Sequence, residues 1–251
     1  MPRTERRSRM PNPMTPIEFL DASAVDPAVF DLRPDYRAML LVVDGLAPDA
    51  SNRSGGAHLD ALVAAAEAHS RALLAASLVE ELPHIAAWRE AYRAFGAKPQ
   101  RNRNSLEALT RRAEHGLPRV NALTDIYNAI SVLHQIPLGG EDFHLYDGAA
   151  RLTRATGEEP FDTAANGDTV IEHPELGEVI WCDGAGTCRR WNWRQGRRTA
   201  LSDATDTAFF ILDALAPMTD DALTKAADAL ADALTGLGGE VRVLRRQIGA
   251  P

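Results

Sequence analysis

Leu117-Pro-Arg-Val-Asn-Ala-Leu-Thr-Asp-Ile-Tyr-Asn-Ala-Ile-Ser131, followed after four residues by Ile136-Pro-Leu-Gly139, Gly140 and Asp142, is the stretch that organises the rest of the chain. Leu123, Ile126, Tyr127, Ile130 and Leu133 recur at helical spacing, so residues 121–135 are expected to form a helix that buries them. Asn121, Asp125 and Asn128 lie four and then three residues apart and share one face of that helix. Such a polar stripe either lines a pocket or pins adjacent loops. Pro137 ends the helical pattern. The two glycines after it either expose backbone N–H groups, a device for a developing oxyanion, or form an ordinary helix-to-strand turn.

Upstream the chain reads as helical. Residues 57–77 are alanine-rich, with Leu59, Leu62, Val63, Leu73 and Leu74 in register, and Pro83 divides them from a second helix that Gly96 stops. Ser105 is the expected cap of a third, over 106–114. Before these, Arg37-Ala-Met-Leu-Leu-Val-Val-Asp44 reads as a buried strand, residues 49–56 as a loop and residues 1–16 as a disordered tail.

Downstream the pattern shortens to strands over 143–145, 151–155, 178–183 and 187–193, with Asp183-Gly-Ala-Gly186 as a hairpin turn. An apolar run at 208–212, a helix capped by Thr219 and a final strand at 241–244 suit a right-handed crossover. The expectation is α+β, one domain over 17–251, with a helical part over 57–115 and a sheet-rich core over 117–251.

Composition narrows the function. Of 251 residues 45% are apolar, and 27 basic against 35 acidic side chains give a net charge of −8. No run approaches the ~20 apolar residues of a membrane helix. The only cysteines, Cys182 and Cys188, exclude a disulfide scaffold or four-cysteine zinc module, and structural thiols on paired strands are expected. No apolar run follows Arg3, Arg6, Arg7 and Arg9, so no secretory signal is read and the cytoplasm is the expected compartment. The acidic balance argues against a general nucleic-acid coat protein, and no DNA partner is expected. Charge is nonetheless segregated: seven basic residues fall in 89–114, five arginines and no acid in 189–198, and eight acids in 201–240. An arginine cluster either holds phosphates or is solvated and paired, for instance with the acidic C-terminal helix. Nucleophile-elbow, phosphate-loop, dinucleotide and His-Glu-x-x-His motifs are absent, and no metal or cofactor is expected. His134 and His144 are either general bases or hydrogen-bonded structural residues.

The 117–142 stretch resembles the B3/B4 domain of the phenylalanyl-tRNA synthetase β-subunit, which carries a similar Pro-x-x-Asn-x-x-x-Asp-x-x-Asn run, a proline loop and an aspartate entering a strand. The resemblance runs from about Trp88 to Asp213, and Cys188-Arg-Arg-Trp-Asn-Trp-Arg194 looks like the free-standing branch of the family. It implies a layered sandwich of mixed sheet and helices. It further implies a tRNA-editing hydrolase that cleaves the ester of mischarged aminoacyl-tRNA in trans, or a module of the same fold that binds tRNA or protein without catalysis. An activated ester needs no protein nucleophile, only a placed water, an oxyanion donor and a side-chain pocket. On this resemblance Asp213, Gly139 and Gly140 would carry catalysis. Asn128, Asp142, Asn192 and Thr205 would meet substrate, and Arg189, Arg190 and Arg194 would meet the RNA at its aminoacylated 3′ end. Where the synthetase loop has a histidine this chain has Gly139, and the family's pocket glutamate falls near Asp213, so the amino acid recognised does not carry over.

Overall fold

Six apolar side chains in unbroken succession cannot all face one side of a strand, so residues 38–43 must be covered on both faces. The computed structural model, which describes residues 12–47, 56–165, 167–191, 194–202, 204–237 and 239–250, places them in β2 (Arg37–Asp44), where all six are buried. β2 lies between β10 (Arg242–Gly249) and β9 (Thr207–Ala214), antiparallel to both, and β9 pairs on its far side with β3 (Leu138–Asp142).

Alternate residues of β2 and β9 feed two cores. Met39, Leu41, Val43, Phe210 and Leu212 pack under α3 (Gly56–Ala76), α6 (Ala122–Leu133) and α7 (Asp220–Thr235). Leu40, Val42, Phe209 and Ile211 face an aromatic core with Phe19 of α1 (Pro16–Ala22), Trp88 and Tyr92 of α4 (Pro83–Ala94), and a second sheet. That sheet runs β1 (Ala24–Val25), β4 (Arg151–Arg154), β7 (Val179–Asp183) and β8 (Gly186–Arg190), parallel at its first pair and antiparallel after it. A short helix, α2 (Pro27–Leu32), an eight-residue helix, α5 (Ser105–Arg112), and a two-stranded ribbon of β5 (Phe161–Ala165) and β6 (Asp168–Glu172) complete the described elements. The α+β class and the mixed, layered arrangement expected above are what the structure has.

Local differences have physical reasons. Asn104, not Ser105, caps α5, because its side chain accepts from the Glu107 amide. Residues 143–145 are a single 3₁₀ turn rather than a strand, begun by Asp142, whose carboxylate accepts from the His144 amide. The last strand extends to Gly249 because β2 offers eight pairing positions. Of the tail expected over 1–16, residues 1–11 lie outside the described residues. Asn12 is buried and donates to the Gly148 carbonyl, and Thr15 caps α1, so the part described is docked. Most of the loop expected at 49–56 also lies outside the described residues. No helix among the described residues is long and apolar enough to cross a membrane.

Candidate functional site

Ser105, Ala108, Leu109 and Arg112 recur at the three- and four-residue steps that align one face of a helix, and this face of α5 forms one wall of a cavity of about 200 Å³. Tyr127 and Asn128 of α6, Leu138 and Gly139 of β3, Arg189 of β8, and Arg194 with Gln195 complete it. Arg189 and Ser105 also line a second, smaller cavity of about 10 Å³, together with Trp88, Asn104 and Asp213. That volume is on the scale of one water molecule.

Arg189 is 7% exposed and fills the space that a side chain at position 139 would need. A Cβ on Gly139 would stand 2.1 Å from Nη1 and 2.5 Å from Cζ of the guanidinium. Burial disfavours its charge, but the carboxylates of Glu141 and Asp213 outweigh burial and hold the guanidinium firmly protonated. Neither hydrogen-bonds to it, and Nη1 has no hydrogen-bond partner among the described residues. Glu141, fully buried, accepts 2.7 Å from the Tyr146 hydroxyl through Oε2, while its Oε1 has no partner. Burial pushes its carboxyl above the usual range, with Arg189 opposing. Glu141 stands beside Asp142 in a strand buried along its whole length, and the two acids in succession gave no sequence signal of which one faces Arg189.

Asp213 sits at the centre of an aromatic cage. Its Oδ1 accepts from Tyr36 Oη at 2.6 Å, Trp181 Nε1 at 3.2 Å and Trp191 Nε1 at 3.4 Å, and the residue is 2% exposed. Burial, reinforced by the Asp213 charge, drives the Tyr36 hydroxyl well above its ordinary value, which keeps it a donor. Around the small cavity Trp88 Nε1, Asn104 Nδ2 and Ser105 Oγ are buried without partners.

The expected oxyanion amides take a different role. Leu138–Asp142 is a fully buried strand rather than an open loop. Asp213 N donates to the Pro137 carbonyl, which sets the phase of the antiparallel ladder, so Gly139 falls in a hydrogen-bonded pair with Ile211. Gly140 falls in the alternate pair, and its carbonyl accepts from Gln195 Nε2 at 2.7 Å. Both glycines serve close packing, since a Cβ on Gly140 would stand 2.5 Å from the Phe210 ring.

The other expected residues divide. Asn128 lines the larger cavity; its stripe partner Asn121 caps α6, and Asp125 accepts from Arg119 and the Val120 amide. Asp142 and Thr205 are bonded to each other, at 2.7 Å, and line neither cavity. Asn192 lies outside the described residues. Arg190 makes a two-point ion pair with Glu178, and Arg194 one with Glu172 while also stacking on Phe161. Arg198 is fixed by Asp183. Arg190, Arg194, Arg197 and Arg198 therefore pair with β5–β7 and the loop before β7, not with α7. Neither His134 nor His144 lines these cavities, and burial raises Cys182 to about 11 and Cys188 well above the ordinary thiol value, so neither thiol is a ready nucleophile. Among the described residues no His, Cys, Asp and Glu cluster is placed to hold a metal.

Exposed Arg93, Lys98, Arg101 and Arg112 make no ion pair among the described residues. Lys98 and Arg101 border a groove of about 340 Å³ with Tyr92, Phe95, Leu176 and Trp191.

Comparison with known proteins adds the following. A family model described as the B3/4 domain matches residues 87–235, more than half the chain and all of the cavity walls. A solved structure, an N-terminal fragment of the phenylalanyl-tRNA synthetase β-subunit from Pyrococcus horikoshii, is similar at 12% identity and a TM-score of 0.43. The alignment covers 89% of this chain and 53% of that one, so the chain spans about half the length of the structure it matches. No curated protein matches.

Proposed function

Because the chain belongs to the B3/4 domain family, we propose that it acts on aminoacylated tRNA, hydrolysing in trans the ester that joins a wrong amino acid to the 3′ end. The observation that carries the reading is the meeting of two cavities at Ser105 and Arg189, one of a size for a small acyl group and one for a water beside Asp213. In this scheme the water attacks the ester carbonyl carbon and gives its proton to the Asp213 carboxylate. The C–O bond to the terminal ribose breaks, and that oxygen leaves as the hydroxyl after taking up the proton. Arg189, rather than the amides of Gly139 and Gly140, faces the negative charge that develops on the carbonyl oxygen. Asn128 and Gln195 orient the acyl group.

Arg190 and Arg194, expected to meet RNA, are engaged by Glu178 and Glu172. The phosphate-holding role passes to Lys98, Arg101 and Arg112, from the other basic run of the sequence. Soluble, cytoplasmic action on tRNA accords with this reading.

The test is ester loss from a panel of mischarged tRNAs. Asp213→Asn should lower turnover about 100-fold or more while thermal melting shows a folded protein; unchanged turnover would remove Asp213 from the mechanism. A second reading is favoured by Gly139, whose amide belongs to the sheet ladder: a module that binds tRNA or protein without hydrolysis. Saturable tRNA binding with no ester loss across the panel would select it.

A further inference from the structure

The groove of about 340 Å³ at the end of α4 has walls that carry apolar surface and open charge together. The loop after α4 brings Phe95, Lys98 and Arg101 to it, and the loop before β7 brings Glu175 and Leu176. Phe95 is half-buried and backed by two buried rings, Tyr92 with its centroid 5.5 Å away and Trp191 at 6.4 Å, so it offers a fixed apolar surface. Leu176 is 81% exposed and has apolar area to gain by being covered. Arg190 and Glu178, also in the lining, neutralise each other. That leaves exposed Lys98 and Arg101 against exposed Glu175, none of the three in an ion pair among the described residues. An apolar ligand would leave both cations unused, and a lone phosphate would leave Phe95 and Leu176 uncovered. A nucleotide whose base is free to stack answers both, which is how single strands are held. A duplex hides its base faces inside the stack, and the volume lies near the lower bound of small-ligand sites, so a single unit fits.

We propose that this groove holds one unpaired nucleotide of a single-stranded RNA segment. Its base lies against Phe95 and Leu176, its phosphate on Lys98 and Arg101, and an amino group of the base donates to Glu175. The inference rests on the reading of this chain as acting on tRNA and adds to it a subsite that takes an unpaired base. Arg190 and Trp191 line both this groove and the small cavity beside Asp213, so the groove adjoins the place assigned to hydrolysis.

The experiment is fluorescence anisotropy of the full chain with a labelled RNA hairpin, either blunt or carrying a short single-stranded 3′ tail of adenosines, at one fixed salt concentration. The tailed hairpin should bind at least about tenfold more tightly than the blunt one. Phe95→Ala and Leu176→Ser should each remove most of that advantage and leave the blunt hairpin's affinity as it was. A tail of inosines, which carry a carbonyl where adenosine carries its amino group, should bind about threefold more weakly, and Glu175→Ala should erase that difference. No saturable binding of the tailed hairpin, equal affinity for tailed and blunt forms, an advantage that survives Phe95→Ala and Leu176→Ser, or free adenosine 5′-monophosphate that binds as tightly as the tail would overturn the proposal. If Phe95→Ala does not fold, Leu176→Ser, at an exposed position, decides it. Tail-dependent binding without ester loss from the mischarged panel would remove hydrolysis and keep this site. Ester loss without any preference for the tail would do the reverse.

Discussion

Gly139 and Gly140 are adjacent in one strand, yet their replacements should behave differently. A methyl group on Gly140 meets the Phe210 ring, which is fully buried between β3 and the helical layer, whereas one on Gly139 meets the free end of a long side chain. Gly140→Ala should therefore cost about 1–3 kcal/mol by overpacking, and Gly139→Ala should cost less while pushing Arg189 from its seat. Urea denaturation of the two variants checks the order. His84 supplies a second test at this scale. Its Nδ1 lies 2.7 Å from the Gln135 carbonyl and its Nε2 accepts from the Leu215 amide at 3.0 Å, so the neutral ring joins α4 to the ends of α6 and β9. Burial, aided by the charges of Arg37 and Arg33 and opposed by the Gln135 carbonyl and Asp35, lowers its pKa from 6.5 to about 4. Below pH 6.5 the unfolded chain binds a proton that the native ring refuses. Stability should fall by on the order of 3 kcal/mol between pH 6.5 and 4, and no further below that. The pH slope of urea denaturation should be shallower in His84→Gln; an identical slope would clear His84 of the effect.

α5 shows how much of an element can be read from sequence and where that reading stops. Its position followed from the polar loop before it and from apolar spacing, but both Asn104 and Ser105 are good caps, and only the fold shows which one turns inward to the Glu107 amide. Asn104→Ala should cost about 1 kcal/mol and Ser105→Ala almost nothing, a difference that thermal melts of the two variants resolve. The same limit applies to β3. Two glycines after a proline read equally well as an open loop or as a strand that must admit large neighbours, because the neighbours, Arg189 and Phe210, come from segments 50 and 70 residues away. Asn128 was legible as part of a polar stripe on an otherwise apolar helix, and Asp213 only through the family resemblance. The cage of Tyr36, Trp181 and Trp191 was not, since its members are scattered over the residue before β2, β7 and the residue after β8 and converge only when two sheets stack. The α1–β1–α2 segment and the β5–β6 ribbon were missed because short elements carry too few periods to register.

At the scale of the molecule, the arginines of 190–198 are arranged in pairs, whereas Arg93, Lys98, Arg101 and Arg112 of the 89–114 run are left open among the described residues. Arg190, Arg194 and Arg198 are each answered by an acid from the strands and loop around β6 and β7, and Arg37 and Arg245 by Asp220 and Asp228 of α7. Only about 11% of the Glu178 side chain is exposed, so Arg190→Ala should destabilise the fold by leaving a nearly buried carboxylate unmatched. Lys98→Glu with Arg101→Glu should leave the melting temperature unchanged. The pair should weaken tRNA binding and flatten its salt dependence by about 0.7–0.9 in log–log slope for each phosphate no longer neutralised. Filter binding across a salt series measures this, and an unaltered slope would exclude these two residues from phosphate binding.

The strand order β10-β2-β9-β3 has a consequence for synthesis. β2, buried over six successive residues, leaves the ribosome early, but its two sheet neighbours lie about 165 and 200 residues further on. Until they arrive, six consecutive apolar side chains have no partner on either edge. Nascent chains stalled before residue 207 should therefore engage holdase chaperones, and protease resistance should appear only once the last strand has emerged.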